Sequence, residues 1–271
     1  MTMAVGLTAC ADLDLNPLSE GSSENWYHDA TEIEMALNDL WRPDFFPIDG
    51  IDWDDDVLNR GASNEITIGT VTSQWKTSVS RWNVLYKAIA RANKIVNALD
   101  KGSASGLREA KVNQYKGEAY FMLGFAYGEL TAYYGDCILN NNMSLNEAYH
   151  AARSPKEKVL EYAYECFDKA IEYLPATITG QLRPTKGAAL GFKARFALFH
   201  QDWQTAADAA KQCMDLNVYE LHDNYLDLFK ADKSKELMFY FKGNLALKKG
   251  FGLFTDIRNT IIRKVSGTAG K

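Results

Sequence analysis

The chain has 271 residues, of which 46% are hydrophobic and 24% are charged. This usage is typical of globular proteins, and it excludes disorder of the chain as a whole. The formal net charge is -5, and the basic residues are scattered through the chain instead of forming a stripe. The composition therefore gives no electrostatic basis for binding nucleic acid.

The first ten residues form a short apolar run that ends in Leu7-Thr8-Ala9-Cys10. Small residues before a cysteine resemble a bacterial lipobox, in which the thiol becomes the lipid attachment point. We interpret residues 1–10 as a truncated lipoprotein signal with lipidation at Cys10, and the polar residues 11–23 as a tether. The open alternative is a chance cysteine near the start of the chain. No later stretch reaches the roughly 18 apolar residues that a membrane span requires, so we expect membrane attachment through the lipid only.

Apolar residues recur at three- and four-residue steps in six segments, and this periodicity predicts helices. The predicted helices cover residues 25–41, 81–99, 111–134, 155–174, 184–200 and 203–216. The third is apolar nearly all round, which predicts a helix buried between its neighbours. The stretch 43–80 is rich in Asp, Gly, Thr and Ser, which predicts a long loop. No run of residues predicts a strand.

Two of these helices match the pattern of a tetratricopeptide repeat. The matching residues are Tyr120, Leu123, Gly124 and Tyr127 in the first helix, and Ala163, Phe167, Ala170 and Pro175 in and after the second. A weaker unit follows over residues 189–213, and an insertion at 135–154 replaces the tight turn of a plain repeat. The sequence therefore predicts an all-α fold of tetratricopeptide-like helical repeats with long loop insertions. We expect segments 120–127 and 163–170 to pack antiparallel.

No pattern of residues indicates catalysis or metal binding. The cysteines form no CxxC pair, and Cys166 and Cys213 occupy apolar helical positions that predict small core residues. The acidic run 52–56 lacks the glycine and glutamate of a calcium-binding EF-hand loop. The histidines lie far apart and no serine stands in a Gly-x-Ser-x-Gly elbow. We therefore predict no enzyme activity, no cofactor and no metal.

Binding of a sugar requires flat aromatic faces with polar groups around them, and aromatic residues make up 12% of this chain. Trp75 is the first candidate, because it lies in a polar stretch between Gln74 and Lys76, with Asn64 nearby in the sequence. Trp53 is the second candidate. The alternative for Trp75 is a tryptophan that anchors its own loop.

Six sequence blocks, taken in order, resemble the SusD/RagB family over essentially the whole chain. The blocks are Leu-Thr-Ala-Cys with Asp-Leu-Asp-Leu-Asn-Pro (7–10 and 12–17), Leu-Tyr-Lys-Ala-Ile-Ala-Arg-Ala-Asn (85–93), Gly-Glu-Ala-Tyr-Phe (117–121), Tyr-Gly-Asp (134–136), Arg-Pro-Thr-Lys-Gly-Ala-Ala (183–189) and Asn-Tyr-Leu-Asp-Leu-Phe (224–229). The family often has a proline-containing segment after Tyr-Gly-Asp, and residues 137–142 depart from that pattern.

The resemblance implies a lipoprotein on the surface of a Bacteroidetes-type outer membrane that captures oligosaccharides for nutrient uptake. It also implies a partner, a TonB-dependent SusC-like transporter, and stacking aromatic residues ahead of the 85–93 helix. Family members are longer, so residues 24–271 are expected to be a SusD-like helical-repeat domain that lacks its C-terminal half. Two other functions remain open: an envelope tetratricopeptide-type scaffold that binds a protein or peptide, and, less favoured, a hydrolase.

Overall fold

The computed structural model describes residues 26–42, 45–46, 69–103, 106–141, 143, 145–178, 183–224 and 235–239. The helices of this part are α1 (Ala30–Leu40), α2 (Lys76–Asp100), α3 (Glu109–Tyr134), α4 (Leu145–His150), α5 (Lys156–Tyr173), α6 (Lys186–Phe199) and α7 (Trp203–Asp215). Within the described residues the only extended pairing is one antiparallel bridge between Cys137 and Ser154. The predicted all-α class is confirmed.

Helix α3 lies at the centre of the fold and contacts α1, α2, α5 and α6. Every residue from Phe121 to Thr131 is buried, and a run of eleven consecutive positions faces all directions around the helix axis. A helix with apolar residues on all sides must be covered on all sides, because each exposed ring or aliphatic chain would cost burial free energy. The prediction that this helix is buried between neighbours is confirmed.

The close approach of α3 and α5 depends on two glycines. A methyl group added at Gly124 would lie 3.0 Å from the ring of Phe167, and one added at Gly117 would lie 2.9 Å from the side chain of Leu174. As α3 advances from residue 117 to residue 124, its neighbour goes back from Leu174, the residue after α5, to Phe167 within α5. The two helices are therefore antiparallel and in close contact, as the repeat pattern predicted.

The weaker unit forms the helix pair α6 and α7, which pack on each other. The Asp202 side chain accepts a hydrogen bond from the backbone N–H of Thr205 at 3.2 Å and so caps the start of α7. Ala206 and Ala209 are buried between the two helices. Cys166 of α5 is buried as predicted, whereas Cys213 of α7 is only half-buried, so its prediction as a core residue is wrong.

Two helix starts differ from the prediction by five residues, and one short helix was not predicted. The first helix begins at Ala30 instead of residue 25, because the side chain of Asp29 accepts the N–H of Glu32 at 2.9 Å and fixes the start there. Helix α2 begins at Lys76, five residues before its predicted start, so residues 76–80 are not part of a loop. The short helix α4 lies inside the 135–154 insertion and was not predicted.

The described helices include none with the length and apolar character that crossing a membrane would demand.

Candidate functional site

Several helix ends meet at one end of the bundle, which we call the Trp75 end. The start of α2 meets the end of α3, because the Tyr134 hydroxyl donates to the Ser78 carbonyl at 2.6 Å. The start of α5 joins them, because the Asp136 carboxylate accepts the N–H of Lys156 at 2.9 Å. The end of α6 also lies here, since His200 Nε2 is 3.2 Å from the hydroxyl of Thr131 on α3. The loop before α2 therefore ends at the Trp75 end, and the 135–154 insertion both leaves and returns there.

Trp75 is half-buried and immediately precedes the first residue of α2. Its backbone is well held: the N–H donates to the Thr72 carbonyl at 3.0 Å, and the carbonyl accepts from Val79 at 3.1 Å. Among the described residues its indole ring makes no aromatic contact and no hydrogen bond, and it does not pack against the hydrophobic core. The side chains of Gln74 and Lys76 on either side are exposed. The ring is thus held on a fixed backbone and is not part of the hydrophobic core in the described part of the chain.

The other predicted site residues, Cys10, Trp53 and Asn64, lie outside the described residues, as does the acidic run 52–56. The lipidation site and all three candidate glycan contacts therefore stay predictions, and Trp75 is the one of them that the described residues include.

A second tryptophan of α2, Trp82, has a packing role. Its ring lies 4.8 Å from that of Tyr86 and 5.0 Å from that of Tyr134, centroid to centroid. The guanidinium of Arg153, from the end of the insertion, lies 5.2 Å from the centroid of the Trp82 ring. These contacts join α2, α3 and the insertion by aromatic and cation–π interactions. Trp82 is therefore a structural residue next to the candidate surface.

The first residues of the insertion, 137–141, form a docked segment that lies against α2, α3 and α5. Two tyrosine hydroxyls each bind both backbone groups of one residue. Tyr86 of α2 donates to the carbonyl of Ile138 at 2.9 Å and accepts its N–H at 2.7 Å. Tyr127 of α3 donates to the carbonyl of Asn140 at 3.0 Å and accepts its N–H at 2.9 Å. The backbone N–H and C=O groups of Ile138 and Asn140 would be left unpaired by burial, and side chains of α2 and α3 provide their hydrogen-bond partners.

Both tyrosines stay protonated, as this double role requires. Burial raises the pKa of Tyr86 and of Tyr127 well above the ordinary value for tyrosine. Burial also raises the pKa of the Cys137 thiol to about 11, so the thiol at the base of the insertion stays neutral. A thiol held neutral by burial is a poor nucleophile, and Cys137 is a packing residue.

Sequence reasoning missed an open cavity of about 450 Å³ at the Trp75 end. Lys156, Phe199, His200 and Gln201 contribute to its wall. One signal was available in the sequence: four successive residues, 196–199, are large or apolar up to the end of α6, and a helix cannot turn all of them towards one core. Phe199 is the one left at the cavity, with 62% of its surface exposed.

The described residues contain no group of three or more His, Cys, Asp or Glu side chains placed to hold a metal ion.

Residues 48–198 match the model of a protein family described as "Starch-binding associating with outer membrane", the SusD-like family. The chain belongs to this family. SusD-like proteins are binding proteins and not enzymes, and the family is associated with the outer membrane.

The chain is similar to two curated SusD-like proteins, SusD-like protein P2 of Formosa agariphila and a SusD-like protein of Bacteroides ovatus. The first is 23% identical over 262 residues, which is 88% of this chain and 50% of that protein. The second is 23% identical over 251 residues, which is 84% of this chain and 46% of that protein. The chain thus spans about half the length of the curated relatives it matches.

The fold is similar to that of a SusD-like carbohydrate-binding protein from Bacteroides fragilis, whose crystal structure matches with a TM-score of 0.70 at 22% identity. The match covers 80% of this chain and 47% of the other. This likeness shows that the helices have the SusD-like arrangement.

The blocks that carry the SusD-like resemblance hold the framework together. Glu118, from the block 117–121, accepts from Arg183, of the block 183–189, at 2.9 Å. Gly135 has a φ of +69°, which favours glycine and turns the chain out of α3, and Asp136 then caps α5. Asn93, from the block 85–93, donates to the Asn140 carbonyl at 2.9 Å. Gly135, Asp136 and Asn93 therefore position the 135–154 insertion, and the pair of Glu118 and Arg183 joins α3 to the segment before α6.

Proposed function

We propose that this chain binds oligosaccharides at the cell surface and delivers them to a partner TonB-dependent, SusC-like transporter of the outer membrane. Trp75 carries the proposal. Its half-buried indole does not pack against the hydrophobic core in the described part of the chain, and such a ring suits the apolar face of a pyranose. The exposed Gln74 and Lys76 beside it provide a hydrogen-bonding amide and an ammonium for sugar hydroxyls.

The family description and the carbohydrate-binding relative from Bacteroides fragilis support a carbohydrate as the ligand class. Trp53 and Asn64 remain candidate contacts of the same ligand. The chain spans about half the length of its curated relatives, so the ligand and the partner of the whole protein are proposals. Substitution of Trp75 tests the ligand in this chain.

Replacing Trp75 by alanine should weaken oligosaccharide binding and leave the thermal unfolding temperature nearly unchanged. Loss of one stacking ring from a shallow sugar site should cost about 1 to 3 kcal/mol of binding free energy. Isothermal titration calorimetry against a panel of neutral and acidic oligosaccharides measures the affinity, and a melting curve on the same sample measures the stability.

Trp82→Ala is the matched control, because Trp82 lies two turns further along α2 and packs against Tyr86 and Tyr134. This variant should lower the melting temperature, since it removes buried ring contacts. If Trp75→Ala instead lowers the melting temperature sharply and keeps full affinity, Trp75 is a packing residue and the stacking role moves to Trp53.

The proposed membrane anchor is a lipid on Cys10. Cys10→Ala, made in a chain that carries a complete signal peptide, should move the protein out of the membrane fraction, because the thiol that receives the lipid is gone. Cells should also lose growth on the glycan that the protein binds, because release separates it from the transporter. If the variant stays in the membrane fraction, the anchor lies elsewhere in the protein. If cells with the variant grow on the glycan as well as cells with the unmodified protein, delivery does not require an anchored subunit.

An envelope scaffold that binds a protein or peptide is the second candidate function. It is favoured by the exposed apolar side chains at the turn from α6 to α7, where Leu198 is 57% exposed and Trp203 is 62% exposed. The calorimetric panel separates the two functions, because a protein scaffold should bind none of its oligosaccharides.

A further inference from the structure

The cavity at the Trp75 end has the size of a ligand site. Its volume of about 450 Å³ lies within the range of roughly 300 to 1,000 Å³ that is usual for ligand pockets. It opens between the end of α3, the start of α5 and the end of α6, and its wall consists of Thr131, Ala132, Gly135, Lys156, Phe199, His200 and Gln201. Trp75 is not part of the wall, so this is a separate place on the same end of the bundle.

The surroundings of His200 favour a neutral imidazole whose Nε2 carries the proton. The Thr131 hydroxyl donates its only proton to the carbonyl of Gly128 at 2.9 Å. His200 Nε2, at 3.2 Å from that hydroxyl oxygen, must therefore be the donor of their hydrogen bond. Burial, and then the nearby ammonium of Lys156, lower the pKa of His200 below its ordinary value. At neutral pH the ring therefore keeps Nδ1 as an acceptor, which suits a hydroxyl.

Lys156 gives the cavity wall a positive charge. Its side chain is exposed, and within the described part of the chain it forms no ion pair. The carboxylate of Asp136 accepts a hydrogen bond from the backbone N–H of Lys156 at 2.9 Å and forms no ion pair with its ammonium. The neighbouring Glu157 acts on His200 more weakly than Lys156 does. A carboxylate from a ligand would form a charge-assisted hydrogen bond with this ammonium.

We propose that this cavity is a second saccharide subsite that binds a sugar residue bearing a carboxylate, that is, a uronic acid. The carboxylate binds Lys156, the apolar face of the sugar ring packs on the exposed ring of Phe199, and a hydroxyl donates to His200 Nδ1. The inference rests on the proposed function, because it assumes a saccharide ligand and specifies its class.

The test uses two monosaccharide probes that differ only in the carboxylate, methyl β-D-glucuronoside and methyl β-D-glucoside. Each is titrated into the full chain, and the imidazole resonances of His200, assigned by their loss in His200→Gln, are followed by NMR. The glucuronoside should shift these resonances in a saturable way, and the glucoside should bind at least about tenfold more weakly. Lys156→Gln should weaken binding of the glucuronoside by about tenfold and leave that of the glucoside unchanged.

Lys158→Gln is the matched control, because Lys158 is an exposed lysine of the same helix that does not contribute to the cavity wall. It should leave both probes unchanged. A titration in which the glucuronoside causes no saturable shift overturns the subsite, and equal binding of the two probes overturns the preference for a carboxylate. If Lys158→Gln loses as much glucuronoside affinity as Lys156→Gln, the effect comes from the net charge of the protein, and a specific contact with Lys156 is overturned.

The oligosaccharide titration on the same protein keeps the two proposals apart. Binding of oligosaccharides through Trp75 without any response of His200 would contradict the subsite and leave the proposed function standing. A response of His200 without oligosaccharide binding would support the subsite and contradict the proposed function.

Discussion

Glu118 is a carboxylate in the apolar centre of the protein, with 1% of its surface exposed. Burial raises its pKa, while the Arg183 guanidinium, the Trp41 indole N–H and the Gln114 amide lower it. Trp41 and Gln114 each donate to the carboxylate at 3.1 Å. Arg183 also donates to the side chain of Asn38, so this one acid joins α1, α3 and the segment before α6.

Replacing Glu118 by glutamine should destabilise the fold by about 3 to 5 kcal/mol, because Arg183 would remain buried without a counter-charge. Urea unfolding followed by circular dichroism measures the free energy of unfolding. Asp168→Asn is the control, since the pair of Asp168 and Lys193 is solvent-accessible on the Asp168 side and should contribute no more than about 1 kcal/mol. A Glu118→Gln protein as stable as the unmodified chain would mean that Glu118 carries a proton in the folded state.

At the scale of elements, the docked segment explains how an irregular insertion is held in place between two repeat helices. Cys137 exchanges two backbone hydrogen bonds with Ser154, at 3.3 Å and 2.8 Å, so the two ends of the insertion lie side by side. Tyr127 then holds Asn140 against α3. Tyr127 is also one of the residues that match the repeat, so a single side chain serves both the packing of the repeat and the position of the loop.

Replacing Tyr127 by phenylalanine should loosen the docked segment without disrupting the repeat. The ring stays in place, but the N–H of Asn140 loses its acceptor, and a buried unpaired group costs about 1 to 3 kcal/mol. Hydrogen–deuterium exchange should show faster exchange of the Asn140 amide. The carbonyl of Asn140 keeps the hydrogen bond from Asn93, so the segment should not detach completely.

Tyr162→Phe is the control for that experiment, because the Tyr162 hydroxyl donates to the side chain of Asn141 at 3.2 Å and binds no backbone group among the described residues. Its loss leaves no backbone group unpaired and should not change the exchange of the Asn140 amide. Equal exchange in Tyr127→Phe and in the unmodified chain would show that the tyrosine hydroxyl is not what holds the segment.

For the molecule as a whole, the sequence predicted what depends on local periodicity. The antiparallel packing of α3 on α5 could be predicted because a small residue, Gly124, and a ring, Phe167, stand in the phase that the repeat requires. The start of α2 could not be predicted, because residues 76–80 are polar or β-branched. The first turn is held by a hydrogen bond from the Tyr134 hydroxyl to the Ser78 carbonyl, which lies outside the local sequence.

The candidate site was predicted less completely, for a physical reason. Trp75 could be proposed from its polar neighbours alone, since a ring in a polar stretch is a property of one position. The cavity forms only when Thr131 of α3, Lys156 of α5 and His200 at the end of α6 lie close together. The periodicity of a single helix does not predict such contacts between helices. The contact of Glu118 with Arg183 was not predicted for the same reason, since 65 residues separate them in the chain.

The bridge between Cys137 and Ser154 has a consequence for how this protein tolerates insertions and deletions. Because the two ends of the insertion are joined at its base, a longer or shorter connection between the docked segment and Arg153 changes chiefly the entropy of closing a loop, and doubling its length costs about 0.6 kcal/mol. Tyr149, 90% exposed on α4, lies inside this closed loop. Lineages can therefore exchange the residues around Tyr149 in length and composition while the helical scaffold beneath stays the same.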